Sequence, residues 1–168
     1  NIITDANIPQ IKKIKSISIE KNINLSLIHE KQKGIQLISH KFLNEKQILK
    51  IGFKNKKYIL KLKLIGKIQI KNILMSMLAA YKSGLKFDKI INILHKLKPV
   101  EGRLQKIGNI KNNSKVILDY AHTPAALESA LINLKDQFPN SKLSLVFGCG
   151  GNRDVQKRSL MGRIAEKY

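Results

Sequence analysis

The chain has 168 residues, 43% of them hydrophobic, enough to bury a real core in one domain or in parts of two. No apolar run approaches the ~20 residues that span a bilayer, and aromatic residues at 5%, with no Trp, give little support to a base-stacking surface. The net charge is +21, but of 32 basic residues only Arg103, Arg153, Arg158 and Arg163 are Arg, and readers of phosphate and bases favour that planar fork.

In chain order, Ile2 to Thr4 reads as the end of a strand. The chain has no initiator Met, so it is expected to be a segment of something longer. It has no basic start followed by an apolar core, so no signal peptide is expected. Ile8, Ile11, Ile14, Ile17 and Ile19 fall at helix-like spacing. Asn24 to His29 is a short apolar run, read as a strand. Three more strands are predicted over Gly34 to Ser39, Gln47 to Phe53 and Tyr58 to Ile65, with a turn at Asn55-Lys56-Lys57. Leu60, Leu62 and Leu64 alternate with Lys61 and Lys63, the mark of a half-buried antiparallel strand.

The texture changes at Gly66. Ile70, Ile73, Leu74, Met77, Leu78 and Tyr81 predict a helix that Gly84 closes. A second helix carries Ile90, Ile91, Leu94 and Leu97 and stops at Pro99. A domain boundary is placed between Pro99 and Asn113, where no regular helical pattern survives. Val116 to Leu118 reads as a buried strand. Thr123-Pro124 opens a helix with Leu127, Ala130, Leu131 and Leu134 on its apolar face, Thr as cap and Pro in the first turn. Leu143 to Phe147 is predicted as the next strand. A glycine-rich loop, Gly148-Cys149-Gly150-Gly151, leads into a last helix with Leu160, Met161, Ile164 and Ala165. Strand, helix, strand, loop and helix open a parallel α/β sheet.

Several residues carry candidate chemistry. Asp119 and His122 lie at a strand's carboxyl end, where open α/β sheets bind ligands. There Asp can accept from ribose hydroxyls and His can donate to phosphate. Spacing alone favours a turn Asp and a core His instead. Arg153, after Gly148-Cys149-Gly150-Gly151-Asn152, could clamp a carboxylate or phosphate. The loop is neither a Walker loop nor a full dinucleotide fingerprint. Cys149 has no base placed near it and reads as a structural thiol. As the single cysteine it excludes an internal disulfide and fits a reducing compartment, the cytoplasm. Cys and His are too few for a zinc site. Gln69 and Asn72 open the helix after Gly66, where an amide can read a base edge or simply cap the helix. Arg103 follows Gly102 as a cation on a short turn or as an ordinary surface Arg. The Lys-rich charge accompanies many Ile and Asn, the signature of AT-rich codons. Compositional drift is the simpler source, and a basic nucleic-acid-binding module is the rival supported by charge alone.

Taken together, Gly66…Asn72…Pro99-Val100-Glu101-Gly102-Arg103…Asp119-Tyr120-Ala121-His122-Thr123-Pro124…Gly148-Cys149-Gly150-Gly151-Asn152-Arg153-Asp154…Met161-Gly162 resembles the Mur ligase family over about residues 64 to 168. It is most similar to the members that add the third residue of the peptidoglycan stem peptide. The resemblance implies an α/β chain: residues 1–100 as the latter part of a P-loop ATPase-type central domain, and residues 101–168 as the start of a Rossmann-like C-terminal domain. It implies an ATP-dependent ligase acting through an acyl phosphate with Mg²⁺, on UDP-N-acetylmuramoyl-L-alanyl-D-glutamate and either diaminopimelate or lysine. It implies no membrane partner and no specific nucleic acid.

By the same resemblance Asn72 contacts adenine, with Gln69 standing where the family often has Asn. Arg103 reaches an ATP phosphate, Asp119 binds ribose and His122 lies beside the nucleotide. Arg153 contacts the incoming amino acid, and Asn152 replaces the usual Asp. The resemblance assigns no catalytic residue and no metal ligand within this chain, because the P-loop and the Mg²⁺-supporting modified lysine have no counterpart in it. Cyanophycin synthetase and folylpolyglutamate synthase are rivals of the same class. The Ala-His-Thr-Pro and Cys-Gly-Gly spellings favour the tripeptide-forming ligases over the first of these.

Overall fold

The computed structural model describes residues 1–29, 34–150 and 154–168. They form two compact units, one of Asn1–Lys63 with Lys67–Leu97, the other of Leu64–Gly66 with Lys98–Tyr168.

The first unit begins with β1 (Ile2–Asp5), α1 (Ile11–Glu20) and β2 (Leu25–Ile28). β1 and β2 pair in parallel, with Asp5 opposite Ile28, and α1 is the crossover between them. The helix starts later than the isoleucine spacing predicts, after Pro9, and Ile19 is 82% exposed rather than on the inner face. An antiparallel sheet follows, in the order β3 (Gln36–Leu43), β4 (Lys46–Phe53) and β5 (Lys56–Leu62). Lys54 and Asn55 both take left-handed φ, 45° and 63°, so the β4–β5 hairpin closes over two residues, as a tight hairpin requires. The predicted alternation holds: Leu60 and Leu62 are buried while Lys61 is exposed. α2 (Ile68–Lys82) buries Ile70, Ile73, Leu74, Met77 and Leu78 and packs against β1 and β2. α3 (Phe87–Ile93) passes into a single 3₁₀ turn, Leu94–Lys96. Phe87 stacks on Phe53 with ring centroids 4.0 Å apart.

The second unit is built on an antiparallel hairpin, β6 (Gln105–Ile110) and β7 (Ser114–Leu118), followed by α4 (Pro124–Gln137) and α5 (Gln156–Lys167). β6 was not readable as a strand. A register irregularity between Lys106 and Gly108 interrupts its alternation. Thr123 caps α4 as predicted, its Oγ1 accepting from the Ala126 N–H at 3.2 Å, with Pro124 in the first turn. Leu127 and Leu131 of α4 pack on Met161 of α5. Ile65, Leu104 and Ala130 form a second buried group.

Two expectations are corrected here. Leu143–Phe147 forms no strand: nothing among the described residues pairs with it, and Val146 is 98% exposed. A strand is stabilised by its ladder, and an apolar run without a partner cannot supply one. The described sheet of this unit is accordingly antiparallel, not the opening of a parallel one.

Candidate functional site

The turn Val100–Arg103 is closed by the Arg103 N–H donating to the Val100 carbonyl at 3.0 Å. Its third residue, Gly102, sits at φ 66°, a conformation that glycine adopts without steric cost. The Gln105 side chain accepts from the Gly102 N–H at 2.9 Å. Leu104 is also left-handed, at φ 45°, which is strained for a residue with a branched side chain. Two features hold it: its side chain is 3% exposed, among Ile65 and Ala130, and its N–H donates to Asp119 Oδ2 at 2.9 Å.

Asp119 is the first residue past β7. Next to it, the Tyr120 N–H donates to the Gly102 carbonyl at 2.7 Å. These two bonds join the Gly102–Leu104 turn to the carboxyl end of β7. The Arg103 guanidinium lies 5.4 Å from the centre of the Tyr120 ring, a cation over an aromatic face. The His122 ring stands edge-on to Tyr120, centroids 5.1 Å apart. Its Nδ1 lies 3.1 Å from the Tyr120 carbonyl. A carbonyl only accepts, so Nδ1 carries the proton. The neutral ring therefore presents Nε2 as an acceptor. Only the imidazolium can donate from Nε2 to a phosphate oxygen.

The structure thus brings Arg103, Asp119 and His122 together within one unit, with the 65% exposed Tyr120 among them. Sequence reasoning missed Tyr120 as a platform, while the turn Asp that spacing favours is the structural half of what Asp119 does here; His122, read as a core His, is exposed. The adjacency of Tyr120 to Asp119 was the available signal for the platform. Asn72 is exposed on the first part of α2, in the other unit. Gln69 precedes it by one turn. Arg153 lies outside the described residues. The Cys149 Sγ donates to Met161 Sδ at 3.4 Å and packs with Leu127 and Leu131, which is the place of a structural thiol.

A buried entry peptide backs this corner. The Gly66 N–H donates to Gln137 Oε1 of α4 at 2.8 Å, and Gly66 takes φ 89°. A Cβ there would lie 2.3 Å from Leu104 Cδ1. The positive φ favours glycine, and an added methyl would have to push the Leu104 side chain aside.

The family model described as "Mur ligase, glutamate ligase domain" matches residues 102–168. The UDP-N-acetylmuramoyl-L-alanyl-D-glutamate–2,6-diaminopimelate ligase of Rickettsia typhi is 40% identical over 168 residues, 99% of this chain and 33% of that protein. The enzyme of the same name from Rickettsia prowazekii is 47% identical over 116 residues, 68% of this chain and 23% of that protein. The chain spans about a third of the length of the first of these relatives. A solved 2,6-diaminopimelate ligase of that name superposes with TM-score 0.65 at 23% identity, over 98% of this chain and 34% of its own. Folylpolyglutamate synthetase from Lactobacillus casei superposes with TM-score 0.72 at 15% identity, over 99% of this chain and 40% of its own. These two likenesses establish a shared fold.

Proposed function

We propose that this chain, which belongs to the Mur ligase family, is a segment of a cytoplasmic, ATP-dependent amide ligase of peptidoglycan synthesis. In this reading residues 1–100 end the central ATPase domain and residues 101–168 begin the C-terminal domain. The acceptor is UDP-N-acetylmuramoyl-L-alanyl-D-glutamate. The names of the relatives favour diaminopimelate over lysine as the incoming amino acid.

The observation that carries the reading is the group at the end of β7. Arg103, Asp119 and His122 sit together inside the stretch that matches the ligase domain. Asp119 keeps a carboxylate beside the turn and suits ribose hydroxyls. Arg103, its guanidinium held over Tyr120, suits a phosphate. The His122 tautomer suits a hydroxyl donor when neutral and a phosphate oxygen when protonated. Asn72 supplies the amide for the adenine edge, and Arg153 the fork for the amino-acid carboxylate.

The chemistry this serves is a two-step acyl transfer. The acceptor carboxylate takes the γ-phosphoryl group and ADP leaves. The amine nitrogen then attacks the acyl carbon, phosphate departs, and the amine proton is released. Cations near the phosphates offset the charge that builds on them. Magnesium, which the family resemblance implies, meets no cluster of three His, Cys, Asp or Glu side chains among the described residues. The resemblance, not that absence, assigns its ligands to other parts of the ligase, and no step is routed through it. No helix among the described residues is long and apolar enough to cross a membrane.

The test is ADP release by the full-length protein that carries this segment. With ATP and the UDP-muramoyl dipeptide, release should depend on diaminopimelate. Release that depends on lysine would change the amino acid. Release that depends on glutamate and a folate acceptor would replace the reading with the folylpolyglutamate one.

A further inference from the structure

Asp5 ends β1 and is 3% exposed, yet it is a carboxylate. Leaving such a group unpaired would be costly, so its partners are informative. Oδ1 accepts from the Asn7 N–H at 2.9 Å and from His29 Nδ1 at 3.0 Å. His29 directly follows β2, which pairs with β1. Oδ2 pairs with Lys71 Nζ at 2.8 Å. Burial pushes the Asp5 carboxyl up, but the Lys71 ammonium 2.8 Å from Oδ2 and the bonds from Asn7 and His29 to Oδ1 outweigh it and hold it at about 2. Asp5 is therefore ionised throughout the physiological range.

Lys71 is the fourth residue of α2 and the immediate neighbour of Asn72. The start of α2 has no capping side chain and no acidic residue in its first turn. An ion pair from Lys71 in that turn reaches Asp5, on a strand that α2 packs against.

We propose that Asp5, through its ion pair with Lys71, is a positioning residue for nucleotide binding. It fixes the first turn of α2 on the ends of β1 and β2, and so fixes where Asn72 presents its amide. This rests on the reading of Asn72 as the adenine contact. Asp5 itself touches no substrate in this scheme. Its effect passes through the backbone of α2, so it should appear in ATP binding and not in amino-acid binding.

The experiment compares Asn72→Ala, Lys71→Met, Lys71→Arg, Asp5→Asn and the double variant Asp5→Asn/Lys71→Met in the full-length protein. KM for ATP and for the amino acid, kcat and the melting temperature are measured for each. Asn72→Ala should raise the ATP KM by about three- to ten-fold, the scale of one or two lost hydrogen bonds. Lys71→Met and Asp5→Asn should raise it by about three-fold or more, with amino-acid KM and kcat unchanged. Lys71→Arg, which keeps the charge, should restore most of the loss. The double variant should be no worse than the worse single, because both break the same pair. If Asn72→Ala leaves the ATP KM unchanged, the adenine reading fails and the proposal falls with it. If Asn72→Ala acts but both pair-breaking variants leave the ATP KM alone, the nucleotide reading stands and the positioning role is overturned. A fall in melting temperature without a change in ATP KM has the same meaning.

Discussion

Asp119→Ala separates two jobs that one carboxylate performs. The substitution removes the acceptor of the Leu104 N–H, a bond of 2.9 Å to a charged oxygen. Hydrogen bonds to charged groups contribute about 1.5–3 kcal/mol. Leu104 is also left-handed at φ 45°, a conformation that costs about 1–3 kcal/mol and persists only where its surroundings enforce it. After the substitution, side-chain packing among Ile65 and Ala130 and the Tyr120 N–H to Gly102 carbonyl bond are left to resist its release. The turn should lose about 2 kcal/mol of local stability, so amide exchange over residues 102–106 should speed up roughly 30-fold. Asp119→Asn keeps an oxygen for the Leu104 N–H and should cost less than about 1 kcal/mol. Its amide nitrogen, however, then stands where a ribose hydroxyl needs an acceptor. Asp119→Asn should therefore raise the ATP KM of the full-length protein while exchange at the turn stays near that of the unsubstituted protein. Exchange that is equally slow in Asp119→Ala and in the unsubstituted chain would refute the structural half of this reasoning. An unchanged ATP KM in both variants would refute the other half.

Gly66→Ala should destabilise the second unit by at least about 1 kcal/mol in urea unfolding, because φ 89° is unfavourable for alanine and its Cβ would meet Leu104. Asp5, held at about 2 against an ordinary 3.8, contributes stability that is present above pH ~4 and lost as pH falls from 3.8 towards 2. At 4% side-chain exposure this amounts to roughly 2 kcal/mol, and Asp5→Asn should flatten that acid limb while lowering stability at pH 7. Arg153→Ala in the full-length protein should lower kcat/KM for the amino acid by on the order of 30-fold or more and spare ATP, with Arg153→Lys restoring only part, as steady-state kinetics with each substrate varied would show. The 168-residue chain alone should form no amide from UDP-muramoyl dipeptide, ATP and amino acid, because it holds no P-loop to cradle the phosphates.

What could be read from the sequence was what side-chain periodicity records. Leu60, Leu62 and Leu64 against Lys61 and Lys63 announce one buried face, and β5 has it through Leu60 and Leu62, ending before Lys63 and Leu64. Thr123-Pro124 announces a capped helix start, and α4 has it. β6 was missed because a register irregularity beside Gly108 breaks a six-residue alternation that was already short. Leu143–Phe147 was over-read for the opposite reason. Its composition suits a strand, but composition carries no information about which neighbour would pair with it. Left-handed φ at Leu104 could not be anticipated either, since nothing local favours it and the restraint comes from Asp119, fifteen residues on.

That separation is also why the site residues can work together. β6 and β7 pair antiparallel with Gln105 opposite Leu118. Continuing that register outward by one residue on each strand sets Leu104 beside Asp119, and by two sets Arg103 beside Tyr120. The bond from Leu104 and the cation over the Tyr120 ring are what that register produces beyond the last ladder pair. Two motifs that look independent in sequence, Gly102-Arg103 and Asp119-Tyr120-Ala121-His122, are thus the two open ends of one hairpin. The irregularity beside Gly108 lies inside this hairpin, between its loop and the site. A strand that slips by one residue turns its side chains to the opposite face. The count of residues between Gly108 and Arg103 therefore decides whether the guanidinium meets the Tyr120 ring or turns away from it. The hairpin positions the candidate nucleotide contacts through its register, and the carboxylate of Asp119 ties that register to the turn that presents Arg103.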